Sequence, residues 1–285
     1  MKIANVDNRP QIVSADGTSL TDAADLLGQE FADLRVVYSR WDEFGHRARA
    51  ADLSNAPQRP VDPRRLGSPS PAPRQIIAVG LNYRAHAAES GFAVPEVLPP
   101  VFTKFVSSLS GPDTEVRLPE GGNTDWEAEL VVVIGRGGRD LAEDAAWSHV
   151  AGLAIGQDLS ERVSQLRGPA PQFSLGKSFD GFAPVGPWLV TPDEFADPDD
   201  IALGCAIDGE TVQEGRTRDL LFPVPALIAR ISAVVELFPG DLLFTGTPAG
   251  VGVGREPQRF LQAGEELTTW AEGIGGLRQR FVGGG

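Results

Sequence analysis

The sequence predicts a mainly β protein with a minority of helices, an α+β chain, and three observations lead there. Thirty-three Gly and 23 Pro in 285 residues are many for a helical protein. They punctuate short apolar runs rich in Val, Ile and Leu, such as QIIAVG, ELVVVIG and HVAGLAIG, the pattern of buried strands bounded by turns. Helical periodicity is confined to a few stretches, TDAADLLGQEFADL and PVPALIARISAVVEL among them.

Taken in order, residues 1–74 read as a small N-terminal domain and linker. An opening strand is followed by the helix TDAADLLGQEFADL, with Thr21 as its expected N-cap, and by a polar tract. Asn55 to Pro73 is rich in Pro, Arg and Ser and reads as the linker, so the second domain spans 75–285. There QIIAVG is a buried strand and NYRAHAAESG a short helix stopped by Gly91. A Pro-rich loop leads to VFTKF, then come the strand DWEAELVVVIG, a helix AEDAAWSHV, the strand AGLAIGQD and a long polar loop through Lys177. After PVGPWLVT, IALGCAIDGETVQ reads as a hairpin turning at Asp208 and Gly209. PVPALIARISAVVEL is a helix, PGDLLFTGTPAGVG a strand ending in a Gly-rich loop, and the closing Gly-Gly-Gly a frayed end.

Charge and composition exclude some classes. Twenty-five Lys+Arg against 39 Asp+Glu leave a net charge of −14, which repels phosphate backbones and argues against a nucleic-acid partner. Cys205 stands alone, which excludes an intramolecular disulfide and a multi-Cys zinc site. The start MKIANVDNRPQ lacks the apolar core of a secretory signal, and no run approaches the roughly 20 apolar residues of a membrane span. A soluble cytoplasmic protein with no membrane contact is expected.

The candidate chemistry begins at Asp125-Trp-Glu-Ala-Glu-Leu. In a strand, Glu127, Glu129, Val131 and Val133 share one face and Trp126, Ala128, Leu130 and Val132 the other, so the second half is apolar on both faces, as in a strand covered on both sides. Two carboxylates at its mouth either emerge into water or require a cation, a proton or donors. Asp158 ends the strand AGLAIGQD and is positioned to converge on them. Three carboxylates without His or Cys form a hard oxygen site for Mg²⁺, Mn²⁺ or Ca²⁺ rather than zinc. His86 and Glu89 are three apart, on one face of a helix, and such a pair can take a proton from water unless it is an incidental surface contact. His46 and His149 read as structural. The lysines are Lys2, Lys104 and Lys177 alone; Lys177, in SLGKSFDGF, is the better candidate to stabilise an enolate or carboxylate oxygen, against a solvated loop lysine. The FTGTPAG loop offers backbone N–H groups and the Thr247 hydroxyl to an anion, or is a tight turn. It lacks the phosphate-binding Gly-x4-Gly-Lys-Ser/Thr pattern.

The segments GLNYRAHAAE, FTKF, DWEAEL, GQDLSER, GKSFDGFAPVGP, DGETVQ, PGDLLFTGTPAGVG and GIGGL follow one another in an order that resembles the fumarylacetoacetate hydrolase family over roughly residues 75 to 282. The resemblance implies a mixed β-roll core with a bound divalent cation, usually in a homodimer. It places Glu127, Glu129 and Asp158 on the metal ligands, Mg²⁺ or Mn²⁺ being expected with Ca²⁺ as a substitute. His86 and Glu89 fall on a water-activating pair carried by a lid, and Lys177 on a catalytic lysine. Tyr83, Arg162, Gln165 and Thr247 fall on substrate positions, and Phe102 to Phe105 near the site. The N-terminal part departs most and reads as short of strands. The implied activity is hydrolysis of a carbon–carbon bond in a 2,4-dioxo acid, with release of pyruvate. Oxaloacetate decarboxylation, isomerisation of an unsaturated 2-oxo acid, and a non-catalytic ligand-binding protein on the same fold are the alternatives.

Overall fold

The computed structural model describes residues 1–53, 56–89 and 97–283. Among them a 12-stranded mixed sheet carries a ten-strand path. Its order is Arg59–Pro60, Ser19–Asp22, Arg9–Val13, Lys2–Val6, Ala183–Val190, Val150–Gln157, Ala128–Ile134, Leu242–Phe244, Ile76–Val79, Val101–Thr103. A five-stranded sheet runs Glu210–Arg216, Ala202–Ile207, Glu266–Ala271, Gly275–Val282, Asp113–Arg117. The mainly β expectation therefore holds.

The strand Ala128–Ile134 is buried throughout, and its two faces go to different cores. Leu130, Val132 and Ile134 pack with the helix Val224–Ser232 and with Leu203 and Leu277 of the smaller sheet. Val131 and Val133 pack with Leu27, Phe31, Leu34 and Phe44 from the N-terminal helices. Each such side chain contributes roughly 1.5–3 kcal/mol on burial, so the centre of the sheet is a rigid base for what projects from its ends.

The N-terminal segment holds more strands than expected. Lys2–Val6, Arg9–Val13 and Ser19–Asp22 form a meander that joins the large sheet where Lys2 pairs with Val190. The first turn was not legible because Asp7 (φ 55°) and Asn8 (φ 64°) occupy the left-handed positions usually given to Asn-Gly. Thr21 lies inside a strand, and the cap is Asp22, whose carboxylate accepts the Ala24 N–H at 2.9 Å. The expected long helix is broken at Gly28, held at φ 115°, into Ala23–Leu27 and a 3-10 turn Gln29–Phe31; Leu34–Ser39 and Trp41–Ala50 follow. The tract read as a linker is stitched down. Arg59–Pro60 and Leu66–Gly67 pair as strands, and Ser70 donates to the Gly240 carbonyl at 2.6 Å.

Elsewhere AEDAAWSHV forms the 3-10 run Glu143–His149 rather than an α-helix. The hairpin turns at Asp208 (φ 49°) and Gly209 (φ 86°) as expected. The helix at NYRAHAAESG spans Arg84–Glu89; its expected stop at Gly91, like part of the closing Gly-Gly-Gly, lies outside the described residues.

Candidate metal and catalytic site

The strand register assembles the acidic centre. Ala128 is the antiparallel partner of Gln157, so Glu127 and Asp158, one residue beyond each, leave the same edge of the sheet side by side. The Asp158 N–H donates to the Glu127 carbonyl at 2.9 Å, and the Gln157 side-chain oxygen accepts the Glu127 N–H at 2.9 Å. Leu242–Phe244 pairs on the other side of Ala128–Ile134, and the loop after it returns over Glu129. There Gly246 donates its N–H to Glu129 Oε2 at 2.8 Å. Its φ of 104° and the approach of Asn82, where a Cβ would come to 2.7 Å, admit only glycine.

Glu127, Glu129 and Asp158 present carboxylate oxygens within 4.8 Å of one another, all buried. Cations reach them from separate loops. Lys177 Nζ donates to Glu127 Oε2 at 2.6 Å and to Asp158 Oδ2 at 2.7 Å. Lys104 bonds Asp158 and the Lys177 carbonyl. Arg162 Nη2 lies 2.7 Å from both Glu127 and Asp125, while its Nη1 donates to Gln165 Oε1 at 2.8 Å.

The electrostatics follow. Burial alone would raise the Glu127 carboxyl, but Lys177 and Arg162 more than offset it and hold it below the ordinary carboxylate range. Glu129 has no ammonium or guanidinium partner among the described residues: burial, then the charges of Asp158 and Glu127, push it well above that range. Burial would lower the Lys177 ammonium, yet Asp158 and Glu127 keep it raised, whereas burial prevails at Lys104 and lowers it. Glu89, Asp125, Glu127, Glu129 and Asp158 outnumber Lys104, Arg162 and Lys177 by two formal charges, the charge of one divalent cation. The three oxygen donors fit a hard divalent ion and offer nothing to a soft one.

The helix Arg84–Glu89 brings the second group. His86 Nδ1 lies 3.5 Å from Glu89 Oε2, longer than a good hydrogen bond, and Nδ1 has no other partner among the described residues. Both Glu89 oxygens accept the Gly250 N–H at 3.0 Å, which ties this helix to the Gly-rich loop. His86, Glu89, Glu127, Glu129, Arg162, Gln165, Lys177 and Thr247 all line one cavity of about 330 Å³, with Phe102 and Phe173 packed edge to face on its wall.

Two expected substrate positions look different in three dimensions. Tyr83 is buried and outside the cavity lining, and its hydroxyl has no partner among the described residues. The Thr247 hydroxyl is already engaged, donating to the Ala128 carbonyl at 2.9 Å and accepting from Gln213 at 2.8 Å. Sequence reasoning passed over Asp125, Lys104 and Gln213. The scarcity of lysine and the resemblance of the FTKF segment, which falls near the site, both pointed toward Lys104, though not to its role. Gln213, on the hairpin, also accepts the Ala128 N–H at 2.9 Å, and nothing in its neighbours announced that.

A mixed sheet bearing a buried three-carboxylate centre beside a His–Glu pair offers oxygen donors that could hold a divalent cation next to a potential base, and comparison with known proteins gives the family. Residues 75–282 match the family model for the fumarylacetoacetate hydrolase C-terminal domain. A 2,4-didehydro-3-deoxy-L-rhamnonate hydrolase of Sphingomonas sp. strain SKA58 is 42% identical over 95% of this chain and 91% of its own. The human mitochondrial oxaloacetate tautomerase FAHD2A is 42% identical over 83% of this chain and 74% of its own. Among solved structures, a Mycobacterium smegmatis protein named as an HpcE superposes with a TM-score of 0.93 at 54% identity, covering 100% of both chains. A maleylpyruvate hydrolase from Sphingobium sp. SYK-6, solved with manganese(II) and pyruvate, gives 0.80 at 29% identity and also covers 100% of both. The chain belongs to the fumarylacetoacetate hydrolase family, whose members here include hydrolases and a tautomerase. No helix among the described residues is long and apolar enough to cross a membrane.

Proposed function

We propose that this protein is a divalent-cation-dependent hydrolase that breaks a carbon–carbon bond in a 2,4-dioxo acid, releasing pyruvate and a carboxylic acid. One observation carries the reading: His86 and Glu89 open into the same cavity as Glu127 and Glu129. Mg²⁺ or Mn²⁺ held by Glu127, Glu129 and Asp158 would neutralise the acidic centre and polarise a chelating 2-oxo acid. His86 takes a proton from water, and the Glu89 carboxylate stabilises the imidazolium that results. The hydroxide adds to the C4 carbonyl, the C3–C4 bond breaks, and the acyl portion leaves as the carboxylic acid. The electron pair remains on pyruvate as its enolate, which is protonated at C3. Lys177 supplies positive charge where the enolate oxygen develops. The similarity to a hydrolase of a didehydro sugar acid supports this substrate class.

A second reading is favoured by the 3.5 Å gap between His86 and Glu89. Interconversion of the keto and enol forms of a 2-oxo acid, as the name of the human relative describes for oxaloacetate, needs one base and no activated water. Decarboxylation of oxaloacetate would leave the same enolate. The test is pyruvate release from acetylpyruvate with Mg²⁺ or Mn²⁺, with and without chelator, for wild type and Glu127→Gln. Release that vanishes on chelation and in the variant supports the hydrolase. Absence of release, with metal-dependent enol–keto conversion or consumption of oxaloacetate, replaces it with the tautomerase or the decarboxylase.

A further inference from the structure

We infer that the acyl end of the substrate carries no charge: the site takes a 2,4-dioxo monocarboxylate and disfavours one with a second, distal carboxylate. The inference deepens the proposed function and rests on it for the identity of the dioxo acid. It begins with the cations. Arg162 is held by Asp125 and Glu127, Lys177 by Glu127 and Asp158, and Lys104 by Asp158, so every Lys or Arg at the acidic centre is already paired.

The other basic side chains nearby do not line the cavity, and Arg167 lines a separate surface pocket with Ser164 and Gln172. Arg255 donates to the Val212 carbonyl at 2.8 Å and Arg259 to Glu265 at 2.9 Å, both beside the Trp126 ring. Arg84 is exposed and does not line the cavity. Residues 90–96, outside the description, read SGFAVPE and contain no basic residue.

Beyond the acids, the His–Glu pair and the paired cations, the cavity wall is apolar or neutral: Leu81, Phe102, Leu166, Phe173 and Val253, with the amides of Gln165 and Gln258 and the already engaged Thr247 hydroxyl as its polar groups. Amides serve a hydroxyl or carbonyl on the acyl group. They do not compensate a buried carboxylate, which needs a counter-charge. One divalent cation held by Glu127, Glu129 and Asp158 would cancel the excess of two acids and supply the positive charge for the substrate's first carboxylate. A second carboxylate finds no unpaired cation lining the cavity among the described residues and adds to a negative surround.

The experiment compares acids of equal chain length with and without the distal charge. The affinities of 2-oxopentanoate and 2-oxoglutarate for the Mn²⁺-loaded protein are measured by calorimetry. The expected result is at least tenfold weaker binding of 2-oxoglutarate. Equal or tighter binding of 2-oxoglutarate overturns the inference, as does failure of both acids to bind. Gln258→Arg places a cation at the cavity wall and is expected to narrow the difference at least fivefold; an unchanged ratio overturns the electrostatic explanation. Turnover is read separately with acetylpyruvate and fumarylpyruvate. Preference for fumarylpyruvate overturns the inference. Turnover of neither, with the binding ratio intact, overturns the hydrolase reading and upholds the uncharged acyl end.

Discussion

Arg162 Nη2 meets Asp125 Oδ1 at 2.7 Å in a place where the Asp125 side chain is fully buried and the Arg162 side chain is 9% exposed. Asp125 also accepts the Val253 N–H at 2.8 Å. One carboxylate therefore ties together the guanidinium that faces Glu127 and a loop of the cavity wall. Burial raises the Asp125 carboxyl even against the pull of Arg162.

Asp125→Asn removes one partner of this buried pair. A loss of roughly 3–5 kcal/mol of stability is expected, because the buried guanidinium keeps only Glu127, which it shares with Lys177. Urea denaturation checks it, and a change below about 1 kcal/mol would mean that Arg162 finds its full complement in Glu127 alone.

Lys177→Met leaves Glu127 and Asp158 without the ammonium they share. The metal-free variant is expected to melt well below the wild type, and saturating Mn²⁺ to recover a larger part of the loss than it adds to the wild type, since the ion supplies the missing positive charge. Thermal denaturation of both proteins with and without Mn²⁺ reads this directly. Equal Mn²⁺ shifts in the two would contradict it.

Burial, with Asp158 and Glu127, sets the Glu129 carboxyl well above its ordinary value of 4.5. The metal-free folded chain thus holds a proton that the unfolded chain gives up. That contribution to stability is whole below the unfolded value and is lost as pH rises through the folded one. A divalent cation displaces the same proton, so its affinity is expected to climb over that interval. Melting with and without Mn²⁺ between roughly pH 5 and 8 tests the sign, and a stabilisation that shrinks as pH rises would refute it.

His86→Ala is expected to lower pyruvate release about 10²–10⁴-fold, the range for loss of a general base, while leaving the Mn²⁺-induced melting shift intact because His86 is not one of the three clustered carboxylates. Loss of the metal response together with activity would instead point to a structural role.

The legible part of the site lies on local patterns. The alternation through Glu127, Glu129 and the following valines predicted a strand buried on both faces, and the i,i+3 spacing placed His86 and Glu89 together. The roles of Lys104 and Asp125 were not legible, because their partners stand 54 and 37 positions away in the chain. The N-terminal meander was missed for a local reason: Asp7 and Asn8 turn the chain without a glycine.

By itself the sequence determined the strand-rich class, the apolar faces of the central strand and the chemical type of each acidic and basic group, since these depend on composition and short-range periodicity. Only the tertiary structure decided which cation pairs with which carboxylate. It also decided that Glu129, alone of the three clustered carboxylates, lacks an ammonium or guanidinium partner among the described residues, and that no unpaired cation among them lines the cavity to meet a second substrate carboxylate. These outcomes depend on distances between loops far apart in the chain, and Coulomb energies in a buried site are set by those distances.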